Sequence, residues 1–192
     1  MIPQGLSLQP NVITPEKEHE IISWLDNQTW STELSRRTQH YGYNYNYKTK
    51  DLTLGTPIKG PLLEISQTIE RAGLMKPVQC IVNEYYRDQG ISPHIDKLSF
   101  GPTIIGISIG SDVSMTFNRN TEKFECFLPQ RSMMMMTGPA RYEWRHSIPK
   151  CVTYLTPASD ARSGSPWALT EGKKIKKSDT YRRISLTYRE LA

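Results

Sequence analysis

Short segments in which apolar and polar residues alternate dominate the chain from residue 79 onward. They are rich in Val, Ile, Thr, Tyr and Phe, and turn signals separate them. Strands are therefore predicted at Gln79–Tyr86, Thr103–Ile109, Val113–Phe117, Lys123–Leu128, Ser132–Thr137 and Arg182–Arg189. Short strands with turns at this spacing predict antiparallel sheets arranged as a sandwich or jelly roll.

Two helical patterns precede the strands. In the first, Thr14 is the predicted N-cap, Pro15 occupies the first helical position, and an apolar stripe follows. The second runs through "GPLLEISQTIER" and stops near Gly73. The predicted fold is mainly β with flanking helices (α+β), and a chain of 192 residues is expected to form one domain over 1–192.

Cysteine usage and charge limit the classes of protein. The three cysteines are odd in number and widely spaced, which argues against a disulfide scaffold and favours a reducing compartment, cytoplasmic or nuclear. Neither a signal peptide nor a membrane span is evident, so we expect a soluble protein. A monomer is expected as well. A net charge of +5 and a pI near 9.1 make a nucleic-acid partner plausible.

A His-x-Asp pair after the first predicted strand is a candidate metal site. If His94 and Asp96 lie at a strand end, both side chains point to the same face. His146 follows the later strands and is the natural third ligand. Two imidazoles and one carboxylate form the facial triad of non-haem Fe(II), although hydrolytic zinc sites use the same ligand types.

The last predicted strand supplies a candidate site for a small dicarboxylic acid. In "RRISLTYR" the side chains of Arg183 and Arg189 lie on one face, and guanidinium groups bind carboxylates in a bidentate manner. Asn83 and Tyr85 share a face of the first strand and are predicted to point towards whatever binds beside His94 and Asp96.

Two basic segments are candidate contact surfaces. The segment from Arg36 to Lys50 mixes tyrosines with basic residues and is predicted to be an exposed hairpin arm or lid. The segment 156–180 is predicted to be a long polar loop that ends in four lysines, Lys173, Lys174, Lys176 and Lys177.

Taken together, these residues resemble the AlkB family of Fe(II)- and 2-oxoglutarate-dependent dioxygenases. The resemblance rests on four ordered motifs, "NEY" (83–85), "HID" (94–96), "HSI" (146–148) and "RISLTYR" (183–189). Further segments, "YGYNYNY" and "RSMMMMTGPARYEWRHSI" among them, are most similar to the AlkB-like domain of tRNA wobble-uridine methyltransferases.

The resemblance implies a double-stranded β-helix, or jelly roll, that uses Fe(II), 2-oxoglutarate and O2. It implies that His94, Asp96 and His146 hold the metal. It further implies that Asn83, Tyr85 and Arg183 bind 2-oxoglutarate, with Arg189 beside the cosubstrate and the metal carboxylate.

The same resemblance implies that the segment 36–50 is a nucleotide-recognition lid. Such an enzyme must take its target base from a single strand or flip it out of a duplex, and aromatic and basic side chains suit that task. The predicted substrate contacts in the lid are Arg36, Arg37, Tyr41, Tyr43 and Tyr45.

Three functions follow as hypotheses. The first is oxidative demethylation of alkylated bases in RNA or DNA, with RNA, tRNA or single-stranded DNA as partner. The second is hydroxylation of a modified wobble uridine in tRNA, and the third is hydroxylation or demethylation of a protein. Several repair members of the family carry an acidic residue that contacts the methylated base, and Leu98 stands at that position here. This difference argues against a cationic methylated base as the substrate.

Overall fold

The computed structural model describes residues 1–45, 52–157, 169 and 172–192. In these residues the chain forms three helices and a larger number of strands. The helices are α1 (Pro15–Asp26), α2 (Pro61–Arg71) and α3 (Gly138–Tyr142). The strands are β1 (Leu6–Gln9), β2 (Thr38–Tyr45), β3 (Leu52–Leu54), β4 (Gln79–Tyr86), β5 (Ile91–His94), β6 (Phe100–Ile109), β7 (Val113–Arg119), β8 (Glu122–Leu128), β9 (Ser132–Met136), β10 (Arg145–Ile148), β11 (Thr153–Pro157), β12 (Gly172–Lys176) and β13 (Arg182–Leu191).

Two antiparallel sheets form the body of the fold. The larger sheet has the order β1-β9-β6-β13-β4-β2-β3, and the smaller has the order β5-β10-β7-β8. The paired strands are antiparallel, and several neighbours are distant in sequence, as in a jelly roll. The predicted jelly-roll fold is confirmed.

The helices α1 and α2 pack on the outer face of the larger sheet. Thr14 caps α1 by accepting a hydrogen bond from the Lys17 amide at 3.2 Å, and Pro15 occupies the first turn, as the sequence predicts. At the start of α2, Gly60 has a φ of 56°, and a Cβ there would lie 2.7 Å from the Trp24 ring. A glycine at this position therefore lets the two helices approach closely.

Apolar residues form two cores, one on each face of the larger sheet. Ile21, Leu25 and Leu62 of the helices pack against its outer face, while Phe117 and Trp144 belong to a second core between the two sheets. A cavity opens beside the second core, and both sheets contribute to its walls. None of the helices in the described residues combines the length and apolar character that a membrane span requires.

The prediction that the segment 156–180 is a long loop is partly wrong. Its ends form a two-stranded sheet in which β11 pairs with β12, with Tyr154 opposite Ile175. Residues 158–168, 170 and 171 lie outside the described part of the chain. Lys177 is buried and donates to the carbonyl oxygen of Arg87 at 3.0 Å, so it does not belong to an exposed basic surface.

Candidate active site

Two histidines and an aspartate meet at the cavity between the sheets. His94 is the last residue of β5 and lies directly opposite His146 of β10, so their side chains are cross-strand neighbours. The ring centroids are 4.3 Å apart. Asp96 follows in the loop after β5, and one ligand atom from each of the three residues lies within 4.8 Å of the others. The structure thus brings together the three residues that the sequence predicts as metal ligands.

The protonation states of these residues suit metal binding. Burial lowers the pKa of His146 to about 4, which leaves a neutral imidazole at neutral pH. Burial alone would raise the pKa of Asp96, but Arg189 and the two histidines outweigh it and hold that pKa well below its usual range. His94 Nδ1 lies 2.9 Å from the carbonyl oxygen of Ser92, which can only accept, so Nε2 keeps its lone pair for a metal.

The Asp96 carboxylate is held on one side and unpartnered on the other. Arg189 Nη2 donates to its Oδ1 at 2.8 Å. Its Oδ2 is buried and has no hydrogen-bond partner among the described residues. A buried carboxylate oxygen without a partner is costly, and a bound cation would satisfy it. Two imidazoles and this carboxylate fit Fe(II), with coordination positions left for a cosubstrate.

Arg141 holds the loop that carries Asp96, and the sequence analysis did not find it. Its side chain is 2% exposed and donates to the backbone carbonyl oxygens of Asp96, Lys97, Phe100 and Gly101 at 2.7–3.3 Å. The guanidinium therefore fixes the turn that follows Asp96. Its own segment, "TGPARYEWRH", mixes apolar and charged residues and carried no signal of this role.

Arg183 offers a second binding group to the cavity. It is 2% exposed, its Nη2 donates to Ser108 Oγ at 2.9 Å, and its guanidinium lies 5.4 Å from the centre of the Tyr85 ring. Its Nε and Nη1 are buried and have no hydrogen-bond partner among the described residues. Unpartnered guanidinium donors that line a cavity favour an anionic ligand, and a carboxylate is the anion that accepts the strongest hydrogen bonds from an arginine.

Residues of the paired strands β13 and β4 line the cavity beside Arg183. On β13 and β4, Arg183 lies opposite Tyr85 and Ser185 lies opposite Asn83, and all four side chains line the cavity. Arg189 lines it too, as the alternation in "RRISLTYR" predicts. The two arginines, the amide and the phenol thus share one cavity with the metal-binding triad.

More cationic than acidic residues line the cavity in the described part of the chain. The cavity has a volume of about 500 Å³. Four cationic residues line it, Arg36, Lys97, Arg183 and Arg189, whereas Asp96 is the one acidic lining residue in the described chain. Anionic ligands are therefore favoured inside it.

The structure corrects part of the predicted lid. Tyr41 is 4% exposed, donates to Gln39 Oε1 at 2.8 Å and packs against Trp24, so it is a core residue and cannot stack on a base. Arg37 pairs with the buried carboxylate of Glu84, so its charge is already matched. Arg36 lines the cavity.

The rest of the lid is described only in part. Tyr43 is half-buried, and the side chain of Tyr45 lies outside the described residues. Residues 46–51 also lie outside them. The contacts of these tyrosines with substrate stay a prediction.

Comparison with known proteins identifies the family. The model of the 2OG-Fe(II) oxygenase superfamily matches residues 5–189, which include every residue that lines the cavity. The chain belongs to this superfamily. It is a 2-oxoglutarate-dependent dioxygenase domain that uses Fe(II), 2-oxoglutarate and O2, and its homologues are AlkB-like proteins. This assignment decides between the iron and zinc alternatives that the ligand types left open.

Several AlkB-like proteins are similar to this chain. It is 30% identical over 204 residues to tRNA (carboxymethyluridine(34)-5-O)-methyltransferase alkbh8 of Xenopus tropicalis, a match that covers 95% of this chain and 32% of that protein. It is 28% identical over 157 residues to DNA N6-methyl adenine demethylase of Caenorhabditis elegans, covering 75% and 54%. The chain therefore spans about a third of the methyltransferase relative.

A solved structure shows the same fold. The structure of OsALKBH1 has a TM-score of 0.66 and 14% sequence identity, and the match covers 99% of this chain and 98% of that one. At this identity the likeness concerns the fold, and it agrees with the jelly roll described above.

Proposed function

We propose that the protein catalyses the oxidative demethylation of alkylated bases in RNA or DNA. The observation that carries this proposal is that the triad of His94, Asp96 and His146 and the carboxylate-binding Arg183 face one cavity of about 500 Å³. When bound there, Fe(II) and 2-oxoglutarate supply the activation of O2 that oxidises a substrate carbon.

The residues of the chain have distinct roles in this proposal. His94, Asp96 and His146 hold the metal, and Arg189 orients the Asp96 carboxylate through the 2.8 Å hydrogen bond to Oδ1. Arg183 binds the carboxylate of 2-oxoglutarate that lies farther from the metal. Asn83 and Tyr85 donate hydrogen bonds to the cosubstrate and fix its position in the cavity.

A nucleic-acid substrate is supported by charge and by relatives. The chain has a net charge of +5, and Arg36 adds a cation to the cavity lining. The relatives include a protein named as a DNA N6-methyl adenine demethylase and others named as tRNA methyltransferases. A base reaches a buried metal only from a single strand or after flipping, so we propose RNA or single-stranded DNA as the preferred form.

The charge of the cavity favours a neutral methylated base over a cationic one. Asp96, the one acidic lining residue among those described, pairs with Arg189, and the cationic lining residues Arg36 and Arg183 repel a base that carries a positive charge. Leu98, two residues beyond Asp96, is 71% exposed and supplies no charge. N6-methyladenine, which is neutral, is accordingly the first base to test.

Oxidation of a wobble-uridine side chain is the second candidate. It is favoured by the 30% identity that extends over 95% of the chain to a tRNA methyltransferase that acts at position 34. The carboxymethyl group of carboxymethyluridine is an anion at neutral pH, so the cationic lining of the cavity is compatible with this candidate too. The products separate the two candidates, because demethylation releases formaldehyde whereas hydroxylation of a side chain leaves an added oxygen on the tRNA.

The test uses protein loaded anaerobically with Fe(II) and supplied with 2-oxoglutarate and O2. Separate reactions contain single-stranded RNA or DNA with N6-methyladenine, with 1-methyladenine, or tRNA that carries carboxymethyluridine. We expect succinate and formaldehyde from N6-methyladenine, much less from the cationic 1-methyladenine, and none with His94→Ala. His19→Ala, an exposed histidine of α1, is the matched control and should keep full activity.

Each alternative outcome is informative. Added oxygen on tRNA without formaldehyde would replace the first candidate by the second. If no nucleic acid stimulated succinate formation, the nucleic-acid substrate would be wrong.

A further inference from the structure

A short segment before β2 places two consecutive arginines on opposite faces of β4. The Glu84 amide donates to the Arg37 carbonyl oxygen at 3.0 Å, which extends the pairing of β2 with β4. Side chains alternate along paired strands, so Arg37 lies on the outer face and Arg36 on the cavity face. Arg37 binds Glu84 there, and Arg36 Nε donates to Asn83 Oδ1 at 2.9 Å.

The bond to Arg36 sets the orientation of the Asn83 amide. Because Oδ1 accepts from Arg36, the opposite end of the planar amide, the Nδ2 donor, is directed away from Arg36. Asn83 is 9% exposed and lines the cavity. The carboxylate and keto oxygens of 2-oxoglutarate only accept hydrogen bonds, so an amide turned the other way would set oxygen against oxygen.

Contacts on the outer face of β4 anchor the short segment that carries Arg36 and Arg37. Glu84 is fully buried and also accepts from Arg182 Nε at 2.7 Å, and Arg182 in turn pairs with Asp26 of α1. Arg37 is therefore fixed in a network that reaches the helix layer. This network holds the backbone of residue 36 and limits the positions that its side chain can take.

We propose that Arg36 is a positioning residue, which holds the Asn83 amide with its NH2 group towards 2-oxoglutarate. This inference rests on the role of Asn83 in the proposed function. Arg36 acts mainly through Asn83, so most of its contribution disappears when the amide is absent; its remaining contact is with the Tyr85 side chain. It also assigns a cosubstrate role to a residue that the sequence suggested only as a contact for the nucleic acid.

A double-mutant cycle on cosubstrate binding tests the proposal. The affinity for 2-oxoglutarate is measured by titration calorimetry on Mn(II)-loaded protein, because this readout needs neither O2 nor a nucleic acid. The proteins compared are the unaltered chain, Arg36→Ala, Asn83→Ala and the double variant. Arg71→Ala, which removes an exposed arginine of α2 bonded only to Thr68 among the described residues, is the control.

We expect Arg36→Ala to weaken 2-oxoglutarate binding about ten-fold, the effect of one displaced hydrogen bond to a charged group. In the Asn83→Ala background, the Arg36→Ala substitution should lower the affinity for 2-oxoglutarate by less than about two-fold. Arg36→Lys, which keeps a donor, should recover part of the affinity. Mn(II) affinity and the Arg71→Ala control should remain unchanged.

Three results would overturn the proposal. Unchanged affinity in Arg36→Ala would show that the amide needs no partner. Equal losses in both backgrounds would show that Arg36 acts on the ligand directly or through the fold. Failure of the unaltered protein to bind 2-oxoglutarate would remove both this inference and the proposed function, whereas binding without oxidation of any methylated base would remove only the latter.

Discussion

Replacement of Arg183 by Met separates cosubstrate binding from folding. The guanidinium is 2% exposed and has two nitrogens without partners among the described residues, so in the absence of a carboxylate it is a poorly compensated buried charge. Methionine has a similar length and no polar atoms. We therefore expect Arg183→Met to keep the free energy of unfolding within about 1 kcal/mol of the unaltered protein, or to raise it.

The effect on 2-oxoglutarate should be large. Each hydrogen bond to a charged group contributes about 1.5–3 kcal/mol, so two such bonds amount to roughly 3–6 kcal/mol, or about a hundred-fold to ten-thousand-fold in Kd. At a cosubstrate concentration of about 100 times the Kd, ligand binding raises the free energy of unfolding of the unaltered protein by about 2.7 kcal/mol. This corresponds to a rise in Tm of roughly 5–10 °C for a chain of this size.

The assay is thermal unfolding of Mn(II)-loaded protein with and without 2-oxoglutarate. Arg183→Met should keep its Tm without ligand and lose the ligand-induced rise. The neighbouring Arg182 is the matched control, since it pairs with Asp26 and the buried Glu84 on the opposite face. Arg182→Met should lose about 1–3 kcal/mol of stability and keep the rise. A ligand-induced rise in Arg183→Met equal to that of the unaltered protein would show that Arg183 does not bind the cosubstrate.

Three further predictions concern other parts of the chain. Asp96→Asn should weaken Mn(II) binding at least about a hundred-fold in calorimetry, because the amide supplies no negative charge to the metal or to Arg189; near-normal binding would contradict the metal assignment. Lys173→Ala should weaken binding of single-stranded nucleic acid and lower its salt slope by about one, measured by fluorescence anisotropy, whereas the buried Lys177→Met should change thermal stability and leave the salt slope unchanged. Tyr41→Phe should cost about 1 kcal/mol in urea unfolding, since it removes a buried hydrogen bond, and should leave nucleic-acid affinity intact; a loss of affinity at equal stability would restore Tyr41 as a contact.

The strands and the candidate ligands could be predicted because period-2 alternation is a local property. The alternation in "RRISLTYR" places Arg183, Ser185, Thr187 and Arg189 on one face, and the cavity is lined by these four residues. The pairing of His94 with His146 could only be guessed from elimination, because it depends on which strands of the smaller sheet are neighbours. Strand order is a tertiary property that no local pattern carries.

Other features escaped sequence reasoning for identifiable reasons. Alternation placed Tyr41 on a strand but did not say which face meets α1, and tyrosine suits both a core and a stacking surface. Arg141 binds carbonyl oxygens of a loop about 40 residues away, which leaves no pattern in its own segment. β12 contains one apolar residue among three lysines and is a strand because β11 pairs with it.

The balance of products from a single-stranded oligonucleotide that contains N6-methyladenine, measured under ¹⁸O2, tests the proposed demethylation without any other assumption. We expect equal amounts of succinate and formaldehyde, labelled oxygen in the succinate, and neither product from His94→Ala. Formaldehyde that forms without succinate, or turnover that survives in His94→Ala, would contradict the proposed demethylation.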